Sequence, residues 1–179
     1  ATATTTAVTS SPAGTYPITP AGAASNNYTF SYVNGTLTVN SASSPTITFN
    51  GASKIYGDAS FTMAATSNST GAITYAETYG SGATIATAGV VTTTGAGSVT
   101  ITATQAAAGS FSSGTTTATI TIAKKALTVT ADDKSKTVNT ANPALTVSYS
   151  GFAYSDNAAS LITQATATTT AVTSSPVGT

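Results

Sequence analysis

Between residues 28 and 39 the stretch YTFSYVNGTLTV alternates apolar and polar positions on both sides of Asn34-Gly35. Asn-Gly is a favoured centre for a two-residue type I′ turn, because both positions need positive φ. A turn there predicts Val33 opposite Thr36, Tyr32 opposite Leu37 and Phe30 opposite Val39. Tyr28, Phe30, Tyr32, Leu37 and Val39 then share an apolar face, with Thr29, Ser31 and Thr38 on the other. SFTMAAT (60–66), AITYAET (72–78), SVTITAT (98–104) and TTATITIA (116–123) alternate in the same way. Gly- and Ser-rich stretches separate them, and ALTVTA (126–131) and ALTVSYS (144–150) continue the pattern. Short alternating strands with frequent turn signals predict an all-β sandwich. Its expected inward side chains are Phe49, Phe61, Met63, Ile73, Tyr75, Val99, Ile101, Ile120 and Ile122. A slip of one residue would expose each set.

The chain also repeats itself. Residues 1–15, ATATTTAVTSSPAGT, return at 165–179 as ATATTTAVTSSPVGT, an offset of 164 with Val177 in place of Ala13. A fainter parallel sets ITFNGASKIYGDASFTM, from Ile47, against LTVTADDKSKTVNTANPALTV, from Leu127, with Lys54 on Lys136 at an offset of 82. Periods of this kind predict structural units in series. The expected domains are 1–42, the later half of one sandwich; 43–124, a complete sandwich; and 125–179, the earlier half of the next. Their boundaries fall at NSASSP (40–45) and at Lys124-Lys125. The chain is thus expected to be a window on a longer tandem array. Hairpin 28–39 of one copy is expected to pack head to tail against 126–152 of a neighbouring copy.

Composition removes whole classes of function. Five Lys balance five acidic residues, with no Arg, His or Cys. Nucleic-acid binding needs a basic stripe, which is missing. Triads built on His or Cys, and most zinc sites, lack their residues. Thr supplies 42 of the 179 residues, a β-branched excess that suits pleated sheet. No apolar run reaches the roughly 20 residues of a membrane span.

The stretches AVTSSPAGTYPITPAGAASNNYTFSYVNGTLTVN (7–40) and ALTVTADDKSKTVNTANPALTVSYSGF (126–152) resemble the bacterial Ig-like repeats of the MBG type. Lys54-Ile55-Tyr56-Gly57-Asp58 carries the K-x-Y-G-D element of that family in the middle domain. Lys136-Thr137-Val138-Asn139 departs from it, with Asn139 where a residue of positive φ is expected. Asn142-Pro143-Ala144-Leu145-Thr146 matches the family's N-P-x-L-T strand. Residues 43–124 resemble the companion bacterial Ig-like module, most clearly at Gly97–Ala103. The resemblance implies tandem Ig-like β-sandwich domains in a row, secreted to the cell surface. It implies a structural repeat of an extracellular filament or giant adhesin stalk, a mechanical spacer and attachment fibre.

Candidate chemistry is thin. Asp58, Glu77, Asp132, Asp133 and Asp156 are the only acids. Asp132-Asp133 lacks the rest of a calcium loop and reads as a solvated turn. Glu77 has the strand spacing of Ile73 and Tyr75, which suits an isopeptide-forming Glu or an exposed strand end; the second reading is preferred. No enzyme activity, cofactor or metal is expected. Asn27, Asn34 and Asn68 begin formal glycosylation sequons, and Asn34 and Gly35 are assigned the turn. The alternative function is a carbohydrate- or host-surface-binding module. Tyr79, Phe111 and Tyr154, in loop-like contexts, are its candidate glycan contacts. The expected partners are neighbouring copies and surface glycans, with no nucleic acid and no membrane span in these residues.

Overall fold

The computed structural model describes residues 1–178, and among them the chain is all β, with one 3-10 turn and no α-helix. The first strands are β1 (Thr2–Thr5), β2 (Gly14–Ala21), β3 (Gly35–Val39), β4 (Ile47–Thr48), β5 (Ala52–Ile55), β6 (Phe61–Thr62) and β7 (Thr66–Ser67). Then come β8 (Ile73–Gly80), β9 (Ala83–Ile85), β10 (Val90–Thr93), β11 (Gly97–Gln105), β12 (Gly114–Ala123), β13 (Thr128–Ala131) and β14 (Val147–Ser150). No helix among the described residues is long and apolar enough to cross a membrane. Two compact units result: Ala1–Ile47 with Ser67–Ala72 and Gln105–Gly114, and Thr48–Thr66 with Ile73–Thr104 and the chain from Thr115 onward.

In the first unit β2 is the middle strand of an antiparallel sheet, β1-β2-β3. Tyr16 lies opposite Leu37, and Gly14 opposite Val39. Tyr16, Ile18, Leu37 and Val39 therefore share one face, and Thr15, Thr19, Thr36 and Thr38 the other. This corrects the expected 28–39 hairpin. Residues 28–34 are outside any strand, and neither Asn34 nor Gly35 has positive φ. The physical reason is the better partner: an isolated two-stranded ribbon is marginal in water, whereas pairing with β2 gives Gly35–Val39 a place in three strands. Pro17 and Pro20 obscured β2 in the sequence. Each sits where β2 is paired on one side only, Pro17 to Thr36 and Pro20 to Ala3, so the strand tolerates both missing N–H groups.

Elsewhere in that unit the fully buried Gln105 holds the 67–71 loop. Its side-chain amide donates to the carbonyls of Ser69 and Gly71 at 3.0 Å each, and its Oε1 accepts from Ser67 Oγ at 2.5 Å. Every polar atom of the amide is used, as burial demands. Gly71 must be glycine for space, because a Cβ there would lie 1.9 Å from the Ala106 carbonyl oxygen.

In the second unit the sheets β5-β12-β11-β8 and β6-β10-β9 supply one hydrophobic cluster, the packing of a sandwich. Phe49, Met63, Tyr75, Val99, Ile101, Ile120 and Ile122 are buried, and Phe61 and Ile73 pack against them. Each large aliphatic side chain so buried contributes roughly 1.5–3 kcal/mol. Phe49 and Tyr75 stack at 5.3 Å, and the Tyr75 hydroxyl accepts from the Ala65 N–H at 2.7 Å. Strand β5 is parallel to β12, Ala52 opposite Ile120 through Ile55 opposite Ala123. Later in the same unit β13 and β14 form an antiparallel pair with Val129, Ala131, Val147 and Tyr149 on one face.

Candidate functional site

The K-x-Y-G-D element leaves β5 as a closed turn. The Asp58 N–H donates to the Ile55 carbonyl at 3.0 Å, and Asp58 Oδ2 accepts from the Ile55 N–H at 2.9 Å. Gly57 has φ +96°, a conformation costly for a residue with a Cβ. Lys54 lies over the Phe61 ring, 4.7 Å from its centroid. The turn leaves Tyr56 half-buried, packed against the edge of the sandwich core.

Tyr56 meets the segment 153–156. Its hydroxyl donates to Asp156 Oδ2 at 3.0 Å, and its ring stands edge-on to Tyr154 at 5.4 Å. The Tyr154 hydroxyl reaches Thr93 Oγ1 at 2.5 Å and the Asp58 carbonyl at 3.2 Å. Tyr154 adopts φ 51°, a bend that the surrounding contacts hold in place. Ala153, buried, closes over Gly57, where an added Cβ would come within 2.6 Å of its methyl. The Asp156 carboxylate holds the Tyr56 phenol above its ordinary range, first by accepting its proton in the hydrogen bond, then through burial and charge. A cavity of about 250 Å³ lies beside this junction, lined by Tyr56, Leu127, Phe152, Lys124, Lys125 and Asp156 among others. The junction can fasten the sandwich to the chain that follows Lys125.

The sequence-derived candidates fall in separate places. Tyr79 lies next to the end of β8 with 82 % of its surface exposed. Phe111 is half-buried and forms isolated bridges with Ser43 and Ala108. Tyr154 belongs to the junction, its hydroxyl already engaged. No aromatic contact joins Tyr79 to Tyr154 among the described residues. Gly35 opens β3 and Asn34 precedes it, without the turn assigned to them. Glu77 is exposed, and its Oε1 accepts from the Ile85 N–H at 2.7 Å, joining β8 to β9.

Asp132 closes the end of β13. Its Oδ2 accepts from Thr146 Oγ1 at 2.5 Å, and its N–H donates to the Thr146 carbonyl. The Thr146 hydrogen bond is the main reason its carboxyl lies below the usual range. Asn68 Oδ1 accepts from the Thr46 N–H at 2.8 Å. Asn139 takes φ 64°, the positive value expected where the motif lacks its glycine. Sequence reading missed the partners of Tyr56, because Asp156 lies 100 residues away.

A family model described as MBG domain (YGX type) matches residues 1–38 and 127–179. This family is seen in extracellular surface proteins. The matched residues cover β1, β2 and β3 up to Thr38, and β13 and β14, while Tyr56-Gly57-Asp58 lies outside them. No curated protein matches the chain.

Proposed function

The chain belongs to the MBG domain family, YGX type, and from that membership we propose that it is a length of extracellular fibre, a structural spacer of an adhesin stalk built from Ig-like sandwiches in series. The carrying observation is the junction at Tyr56. It fastens residues 153–156 to the sandwich through two tyrosine hydroxyls and an edge-on ring pair. A fixed joint of this kind is what a spacer needs, since a flexible linker would let successive domains fold back. In this reading 1–42, 43–124 and 125–179 are parts of successive domains with a 164-residue period. The work done is spacing and attachment, with no catalytic step.

The test is length. Proteins carrying one, two and three 164-residue periods in tandem are compared by small-angle scattering and electron microscopy. A rod should lengthen by ~80 Å per period, from seven-residue strands plus end loops in two sandwiches. Coiled, length-independent particles would refute the spacer.

One observation favours a second reading, a carbohydrate-binding module: the Tyr79 ring stands free. Glycan-array binding abolished by Tyr79→Ala would support it, and unchanged binding would remove it.

A further inference from the structure

The 15-residue peptide is present twice in the sequence, and its residues 5–11 and their equivalents 169–175 make the same turn hydrogen bonds. The Val8 N–H donates to Ser11 Oγ at 2.8 Å, as the Val172 N–H does to Ser175 Oγ at 2.9 Å. The Ser11 N–H donates to the Val8 carbonyl at 2.9 Å, matched by Ser175 to Val172 at 3.0 Å. The Ala7 N–H approaches Thr5 Oγ1 at 3.3 Å, and Ala171 approaches Thr169 Oγ1 at 3.2 Å.

The surroundings of the two copies differ. In the first, Thr2–Thr5 pairs with β2 and so belongs to the sheet β1-β2-β3. In the second, three carbonyls are held by the segment between β13 and β14. Asn142 Nδ2 donates to Ala171 O at 2.6 Å, Lys136 Nζ to Val172 O at 2.5 Å, and the Asn139 N–H to Thr173 O at 3.1 Å. The equivalent carbonyls of Ala7, Val8 and Thr9 are not engaged in this way, and residues 166–169 have no strand partner. The two settings use different parts of one peptide, so a single peptide of this shape has groups for both.

Both surroundings are also unfinished. No residue of 1–47 is buried, and of 124–178 only Ala153 is. Each carries an amphipathic sheet with an apolar face: Tyr16, Ile18, Leu37 and Val39 in one, Val129, Ala131, Val147 and Tyr149 in the other. The one family model matches both segments.

Resting on the reading of the chain as one length of a repeated array, we infer that Lys136, Asn139 and Asn142 form a dock for residues 7–9 of a second copy. That copy's 1–15 takes the place of residues 165–179 and brings β1-β2-β3 with it, so that the two apolar faces close as one core. The occupant is a second copy of this chain. The same peptide, occurring once in the composite domain, bridges both sheets.

The natural sequence has no cysteine, which makes the dock testable by disulfide trapping in the full chain. Val177 and Val138 line one cavity, and Ala13 is the equivalent of Val177. Chains carrying Ala13→Cys and Val138→Cys are mixed and oxidised, with Thr119→Cys on the outer sheet face as the control partner. The expected result is a disulfide-linked heterodimer in clear excess over the control. Adding Lys136→Ala to the Val138→Cys chain should lower its yield by about tenfold through loss of a charge-assisted bond. Denaturation of the Ile101 core, followed in parallel, should stay unchanged and show the variant folded. A chain carrying both cysteines should give a ladder of linked chains. Heterodimer at the control level, a yield insensitive to Lys136→Ala, or a double variant that cyclises as a monomer would each overturn the dock. Tandem repeats that still lengthen in fixed steps would then leave the spacer standing without this joint.

Discussion

Tyr56 and Asp156 are 100 residues apart in the chain and share a hydrogen bond of 3.0 Å, phenol to carboxylate. That bond exists only while the phenol keeps its proton. The Tyr56 pKa is raised in the folded chain from its ordinary 10.0. A raised value means the contribution is fully present below about pH 10 and is lost as pH rises through the folded pKa. The Ala153 methyl resonance, which sits against Gly57, should therefore shift in an alkaline titration above pH 10. In Tyr56→Phe that transition should vanish; its persistence would dissociate Tyr56 from the junction.

Asp132 works in the opposite direction. Its pKa is lowered from 3.8, chiefly by the Thr146 hydroxyl. A lowered value means the contribution is present above the unfolded pKa and disappears as pH falls through the folded one. The strands β13 and β14 should loosen at their Asp132–Thr146 end in acid, and Asp132→Asn should remove that dependence. The side-chain carboxyl carbon shift of Asp132 gives the midpoint directly, and a midpoint at or above 3.8 would contradict the assignment.

Ile101 and Ile120 have no exposed surface, and each touches the shared core of the two sheets. Truncation to alanine should cost about 2–5 kcal/mol in urea denaturation, the transfer loss plus the cavity left behind. Val8→Ala, at a residue 67 % exposed, should change stability by less than about 0.5 kcal/mol. Equal effects at the two kinds of position would mean that the sandwich is not the cooperative unit.

Gln105 can be removed without changing the size of the site by Gln105→Leu. The Ser69 and Gly71 carbonyls then lose their donor, at a cost of about 1–3 kcal/mol. Gly71→Ala should disturb the same loop by a steric route, since backbone must move away from the new methyl. Hydrogen exchange across residues 67–72 should accelerate in both variants, with protection of Ile101 retained.

Alternation along the chain was enough to locate the core positions of β8, β11 and β12, because period-2 patterns survive on strands of eight to ten residues. It missed β9 and β10, although Val91 is completely buried. Those strands have three and four residues, too short for a period to show against Ala and Thr neighbours. It misassigned the partner of Leu37, because Asn34-Gly35 is a strong local signal whereas β2 carries two prolines. The chemistry at Tyr56 was half legible: Tyr56, Gly57 and Asp58 stood out as part of the K-x-Y-G-D element, but no local pattern could name Asp156 or Thr93 as partners there.

Strands β5 and β12 lie side by side and point the same way, Ala52 opposite Ile120 and Ile55 opposite Ala123. Tension applied along the chain pulls β5 backward at Ala52 and β12 forward at Ala123. Their ladder bonds run across that direction, so they are loaded together in shear and are not opened one by one from an end. The Tyr56 N–H extends the ladder by donating to the Ala123 carbonyl at 2.9 Å. Drawing β5 and β12 apart along their length thus requires several hydrogen bonds to fail at once.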